Sequence, residues 1–322
     1  MAETGIKNFD AGLVFSGEKS GSIIKGFKTP TPYTPTIDPD YLWGDIARDL
    51  VVWLMMEKPD PLYIHGPSGA GKTSCIKQVA ARINLSVFQI TASERMEVSD
   101  LVGHYCLIDG NTVWQDGPLT KAMRNGGICL IDEVDTANPA ALIALNSVLD
   151  GSGLVIAEHG GELVNPHPLF RLACTGNSAG NGDGTGYYCG VGQLNLAFMD
   201  RFQVLEASYP DANAEVALLY RKFKNLPGDV PVEMVKTANI IRKLFQNDEP
   251  GQQPCEITIT TRGLLRWADL TLRYEALANV GISPIEYAAD RAFANRASKP
   301  TKTMIHELIQ RTFSESHMEK NA

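Results

Sequence analysis

The chain has 322 residues, with 29 Lys and Arg against 37 Asp and Glu and a formal net charge of −8. A hydrophobic content of 44% and a charged content of 20% exclude global disorder, and the length suits one large or two modest domains. The longest apolar run, Leu50 to Met56, is far short of the about 20 residues of a membrane helix, and the acidic balance disfavours a general affinity for nucleic acid.

Residues 1–37 read as an N-terminal extension. Gly17, Gly21 and Gly26 are followed by Pro30, Pro32, Pro35 and Pro39, a spacing that favours extended, loosely held backbone. MAETGIKNFD carries no basic-then-apolar leader, so the cytoplasm is the expected compartment. A helix is predicted from Tyr41 to Lys58, where Ile46, Leu50, Val51 and Leu54 recur at helical spacing. Leu62 to His65 is a short strand running into Gly66. A helix follows over 71–83, then a strand over 86–90 and a short helix over 117–124. Ile128 to Ile131 is a continuous apolar strand, as suits a parallel strand buried on both faces. Pro139 to Leu149 reads as one helix with proline in its first turn, and Leu169 to Thr175 as another strand. Asp109-Gly110 and Gly160-Gly161 mark two hairpins, over 105–114 and 154–164.

This alternation predicts a parallel sheet sandwiched by helices over 38–207. Beyond about 208 the strand signals vanish. Stretches 211–224, 232–246, 261–277 and 301–314 are helical in pattern, so 208–322 is expected to be a small all-helical domain. The six cysteines and six histidines are scattered. They read as structural residues, not as a disulfide framework or a metal site.

Four segments carry chemistry. Gly66-Pro67-Ser68-Gly69-Ala70-Gly71-Lys72-Thr73, with Ser74 next, fits G-x-x-x-x-G-K-[ST] between a strand and a helix. Its glycines let backbone amides turn toward phosphate, and the helix N-terminus adds a positive dipole end. Lys72 would neutralise phosphate charge and Thr73 would ligate Mg²⁺. The strand ending in Asp132-Glu133 delivers one carboxylate for Mg²⁺ and a second, Glu133, to activate water. Asn177, at the end of the following strand, can reach between a terminal phosphate and that water. Arg201, in Asp200-Arg201-Phe202, is a candidate arginine finger acting on a neighbouring subunit's nucleotide. A fifth signal is Arg262, in Thr260-Thr261-Arg262-Gly263, which opens a helix and could close over phosphate. The 29 glycines are a surplus. Gly176, Gly180, Gly182, Gly184, Gly186, Gly190 and Gly192 fall in the single stretch between Asn177's strand and Arg201.

In this order the five signals resemble an AAA+ ATPase, a P-loop NTPase with a helical lid domain. Asp100-Leu101-Val102-Gly103 followed by Asp116-Gly117-Pro118-Leu119 resembles the MoxR-type branch. Within it, four stretches resemble the CobS-type small subunit of aerobic cobaltochelatases: Ile37 to Tyr41, Gln78 to Asn84, Pro166 to Leu172, and Gly182 to Gly190 with Met199 to Phe202. The resemblance covers roughly residues 30–315. It implies Mg²⁺-dependent ATP hydrolysis in a homo-oligomeric ring, typically a hexamer, that remodels a partner protein. The implied partners are a von Willebrand A-domain protein and a large chelatase subunit, with cobalt insertion in cobalamin synthesis as the leading role. The alternatives are a MoxR-type chaperone acting elsewhere on a von Willebrand A-domain partner, or a nucleic-acid-linked motor, which the charge disfavours.

Overall fold

The structure is a computed structural model, and it describes residues 5–182, 190–246 and 255–319. Residues 183–189, within the glycine-rich stretch, lie outside the described residues. Contacts divide the chain into two units, one ending at Ser208 and the other beginning at Tyr209.

The first unit opens with β1 (Ile6–Asp10), α1 (Ala11–Phe15) and β2 (Ile23–Phe27), followed by α2 (Ala47–Met55), β3 (Leu62–His65), α3 (Lys72–Arg82), β4 (Val87–Thr91) and α4 (Val98–Val102). Next come β5 (Gly103–Ile108), β6 (Asn111–Asp116), α5 (Pro118–Asn125), β7 (Gly127–Asp132), α6 (Pro139–Leu142) and α7 (Asn146–Leu149). The unit closes with β8 (Leu154–Ile156), β9 (Glu162–Val164), β10 (Phe170–Thr175), α8 (Leu196–Met199) and β11 (Gln203–Glu206).

Five strands form the central sheet in the order β11-β3-β10-β7-β4, all parallel. Alternation along β7 explains the two-sided core. Cys129 and Ile131 face a cluster with Phe88, Leu119, Met123, Leu145 and Cys174. Ile128 and Leu130 face the other layer, with Leu50, Trp53, Ile64, Ile76 and Val79. A strand buried on both faces must be apolar throughout, as this one is until Asp132.

The segment ahead of residue 38 is more ordered than its proline spacing suggests. β1 and β2 pair antiparallel, and Ile24 and Phe27 are fully buried. Two predicted helices are shorter or broken. Residues 41–46 stay outside α2 because Tyr41 and Trp43 form an edge-to-face aromatic pair, with Arg82 over the Trp43 ring. The 139–149 helix is interrupted by a 3₁₀ turn at Ile143–Leu145. Strand β11 escaped the sequence reading, being four residues with only alternate positions half-buried.

Both hairpins form. In β5–β6 the two-residue turn places Asp109 and Gly110 at positive φ, as a type I′ turn requires. In β8–β9 the connection is longer: a 3₁₀ turn, Ala157–His159, is followed by Gly160 and Gly161, both at positive φ. The two hairpins brace each other: the Tyr105 hydroxyl meets His159 Nδ1 at 3.0 Å, and the Trp114 and His159 rings stack 4.9 Å apart.

The second unit is helical: α9 (Ala212–Lys222), α10 (Val230–Gln246), α11 (Thr261–Arg273), α12 (Pro284–Ala292) and α13 (Lys299–Glu319). Trp267 and Phe293 lie at the centre of its core. A buried ion pair ties three of its helices. Arg242 donates to Glu215 at 2.6 and 2.9 Å, Thr261 Oγ1 donates to the same carboxylate at 2.6 Å, and Arg242 lies over the Tyr209 ring. Removing one member of such a pair strands the other charge, whereas replacing both with apolar groups costs far less. Glu215→Ala should therefore destabilise this unit by about 3–5 kcal/mol and Glu215→Leu/Arg242→Met by much less, measured by urea unfolding followed by circular dichroism. Equal losses would contradict this.

Candidate functional site

The C-terminal ends of β3, β7 and β10 meet at one place. From β3 the chain turns through Gly66 to Gly71 into α3, whose first residues are Lys72 and Thr73. Gly66, Gly69 and Gly71 all have positive φ, backbone that glycine adopts readily and that lets a loop wrap around an anion. At Gly66 a side chain would also collide, because an added Cβ would lie 2.2 Å from the Ala207 carbonyl oxygen. At Gly71 the nearest atom to such a Cβ is the Tyr41 hydroxyl at 3.5 Å.

Lys72 is buried with its ammonium directed inward. It donates to the carbonyls of Gly66 at 2.7 Å and Pro67 at 3.1 Å, and to Asn177 Oδ1 at 3.0 Å. Burial pulls its pKa down to about 8, against the opposing pull of the Asp135, Asp132 and Glu133 carboxylates. Thr73 Oγ1 donates to Asp132 Oδ1 at 2.6 Å. A hydroxyl and a carboxylate side by side are the hard oxygen donors that suit Mg²⁺. The structure thus brings together five expected side chains, those of Lys72, Thr73, Asp132, Glu133 and Asn177. Ser68 and Ser74 also sit where the loop motif puts them, at its exposed crest and in the first turn of α3.

Glu133 is exposed and adopts a left-handed conformation, φ 57° and ψ 41°, at the start of a single 3₁₀ turn. That conformation is uncommon for a side-chain-bearing residue and clusters at functional sites. Thr175 stabilises it: its hydroxyl accepts from the Glu133 amide at 3.2 Å and donates to Asp132 Oδ1. Gln89 Nε2 donates to Asp132 Oδ2 at 3.0 Å.

Sequence reasoning missed Thr175, Gln89, Tyr63 and Asp135. Asp135 is 1% exposed, and its Oδ2 accepts from the amides of Asn177 at 2.7 Å and Ser178 at 3.0 Å. Tyr63 donates to the Ser178 carbonyl at 2.7 Å. The available signal was the acid three residues after Asp132 in Asp132-Glu133-Val134-Asp135.

Arg201 lies elsewhere in the first unit, and Arg262 belongs to the second unit. Arg201 precedes β11, whose first residue Gln203 is level with Leu62 at the start of β3. At about 3.3 Å per residue, Leu62 to His65 alone spans roughly 10 Å, so Arg201 sits at the sheet end opposite Lys72. There it donates to Asp150 Oδ1 at 2.7 Å, on a cleft of about 1070 Å³ also lined by Arg171, His167 and Lys58. Buried Arg171 donates to the carbonyls of Leu54, Met56, Pro168 and Phe170, closing the C-terminal end of α2. Arg262 is exposed in the first turn of α11, in the second unit. Thr260 caps that helix by accepting from Gly263 N at 3.0 Å.

Comparison with known proteins gives a consistent family picture. Residues 61–202 match the AAA domain (dynein-related subfamily). The chain is 30% identical over 300 residues to the aerobic cobaltochelatase subunit CobS of Sinorhizobium sp, covering 90% of this chain and 86% of that protein. It is 31% identical over 213 residues to the protein NorQ of Paracoccus denitrificans, covering 66% of this chain and 74% of that one. Among solved structures it is similar to a putative ATPase from Cytophaga hutchinsonii, with 18% identity, a TM-score of 0.44, and coverage of 82% of this chain and 88% of that one.

The loop geometry is testable without any ligand. Gly71→Ala should cost about 1–2 kcal/mol, the strain of a side chain in left-handed backbone. Gly66→Ala should cost distinctly more, because it adds the collision with Ala207. Denaturant unfolding in nucleotide-free buffer compares them, and equal losses would contradict the close approach at Gly66.

Proposed function

The chain belongs to the MoxR-type AAA+ ATPases, and on that premise we propose that it hydrolyses ATP with Mg²⁺ as one protomer of a cytoplasmic ring, probing and remodelling a partner protein. The observation that carries this reading is the convergence of Lys72, Thr73, Asp132, Glu133 and Asn177 at the ends of three parallel strands. Phosphate binds amides of the loop from Gly66 to Ser74, with Ser68 and Gly69 of the crest as donors. Pro67, which has no N–H, shapes the crest, and Ala70, whose amide donates to the Pro67 carbonyl at 3.2 Å, closes it, while Lys72 exchanges its carbonyl partners for phosphate oxygens. Thr73 and Asp132 hold Mg²⁺, which neutralises charge on the phosphate oxygens when bound. Glu133 takes the proton of the attacking water. Asn177, freed from Lys72, orients that water against the terminal phosphate.

Arg201 supplies its charge to the nucleotide of the neighbouring copy. Its position at the far end of the sheet supports action in trans, and its ion pair with exposed Asp150 is one that docking can exchange. Arg262 acts from the lid domain. A cation in the first turn of a helix opposes the helix dipole, so its placement there serves something other than the stability of α11. The organisation that follows is an extension over 1–37, a nucleotide-binding domain over 38–207 and a lid over 208–322.

For the cellular role, the leading reading is a motor subunit for cobalt insertion in cobalamin synthesis, working with a large chelatase subunit and a von Willebrand A-domain protein. It is supported by a CobS likeness that runs through 90% of the chain. The likeness to NorQ, a relative whose name carries no cobaltochelatase role, supports a function outside that pathway; the second reading is a MoxR-type chaperone acting there on a von Willebrand A-domain partner.

Lys72→Ala should abolish phosphate release. Glu133→Gln should bind ATP with near wild-type affinity and hydrolyse it at least about 100-fold more slowly, the loss typical of a removed general base. Wild-type turnover by Glu133→Gln would overturn its assignment. The ATP-loaded Glu133→Gln protein should retain its partner in a pull-down. A chelatase subunit among the retained proteins supports cobalt insertion, and a von Willebrand A-domain protein alone supports the second reading.

A further inference from the structure

Asp135 belongs to none of the motifs, yet it is the most enclosed acid of the site. Its Oδ2 takes three donors: the Asn177 amide, the Ser178 amide, and Ser178 Oγ at 3.3 Å. Its own carbonyl accepts from Gly192 N at 2.7 Å. One residue therefore holds the chain where it leaves β10 and again where it returns toward α8. The fit is close. A Cβ at Gly176 would lie 2.0 Å from the Tyr63 hydroxyl and 3.1 Å from Asp135 Cγ. Ser178 is gripped from both sides, with its amide and hydroxyl donating to Asp135 and its carbonyl accepting from Tyr63.

The other end of this connection is Glu133. Asp135 sits in a single 3₁₀ turn, Val134–Thr136, and the left-handed Glu133 is the residue that immediately precedes and caps that turn. Fixing Asp135 against Asn177 thus fixes the distance between the residue that takes the proton and the residue that orients the water. Two backbone amides alone could be satisfied by a neutral acceptor at lower cost than a buried carboxylate. The ionised acceptor gives stronger and stiffer bonds than a neutral one.

We propose that Asp135 is a positioning residue: it locks the main chain of Asn177 and Ser178 to the turn that carries Glu133. When Lys72 leaves Asn177 Oδ1 for phosphate, the Asn177 side chain is re-aimed from a fixed backbone, and the loop does not follow the lysine. The inference rests on the ATPase reading above, and the test separates the two.

Asp135→Asn keeps the shape and an acceptor but removes the charge. It should bind ATP within about threefold of wild type while kcat falls roughly tenfold or more, as for interactions that matter chiefly in the transition state. Asp135→Asn/Asn177→Ala should be no slower than the slower single variant, because both act through one side chain. Hydrogen exchange of the ATP-bound protein should show the Asn177 and Ser178 amides exchanging at least about tenfold faster in Asp135→Asn. Wild-type kcat in Asp135→Asn with unchanged exchange, or additive losses in the double variant, would overturn the proposal. Wild-type hydrolysis by Asn177→Ala would instead sink the role given to Asn177, while the exchange result still reports on the tether. If Asp135→Asn does not fold, Tyr63→Phe removes the opposite grip on Ser178 and should give the same kcat-selective loss; an unchanged kcat there would overturn the proposal.

Discussion

The register of three parallel strands is the constraint on which the rest of the site depends. Cys174 of β10 is level with Tyr63 of β3 and with Ile131 of β7. The next residue on β10 and on β7 begins the polar chemistry: Thr175, and Asp132 with Glu133 behind it, beside β3, the strand that feeds the phosphate loop. A shift of one residue in β10 would turn each of Thr175 and Cys174 to the face of the sheet it does not now occupy. It would remove the hydroxyl that joins Asp132 to the Glu133 amide and carry Asn177 away from Lys72. The apolar runs along β7 and β10, buried on both faces, hold that register.

Charge is the second organising feature. Lys72 is a buried cation facing three carboxylates, and its burial works against the charge that those carboxylates favour. Desolvation makes its hydrogen bonds to Gly66, Pro67 and Asn177 strong, and makes polyphosphate a fitting replacement for them. The net charge of −8 concerns the whole surface; this one pocket is tuned by its own groups. The family's nucleotide chemistry and the acidic exterior are compatible because they operate on different scales.

The chemistry-bearing segments were legible in the sequence because each is local: a glycine-rich turn, an apolar strand ending in acids, and a strand ending in asparagine. The parallel sheet followed from the alternation of elements. Asp135 stands visibly three residues after Asp132, but its role and that of Tyr63 were not legible. Their partners at Asn177 and Ser178 are distant in sequence, and nothing in the spacing announces that they meet. The break at Ile143–Leu145 and the ordered strands before residue 38 belong to the same class, since tertiary packing overrides propensity there. Arg201 was named as a finger from its motif alone. The strand order then explains why its own Lys72 is out of reach.

That separation makes the central claim, a hydrolytic site shared between neighbouring copies, open to one direct measurement. Lys72→Ala and Arg201→Ala protomers should each be inactive alone. Mixed in equal amounts before assembly, they should recover roughly a quarter of wild-type phosphate release, because random neighbours pair an intact Lys72 with an intact Arg201 about that often in a closed ring. No recovery, in mixtures shown to co-assemble, would contradict the account and place Arg201 outside the shared site.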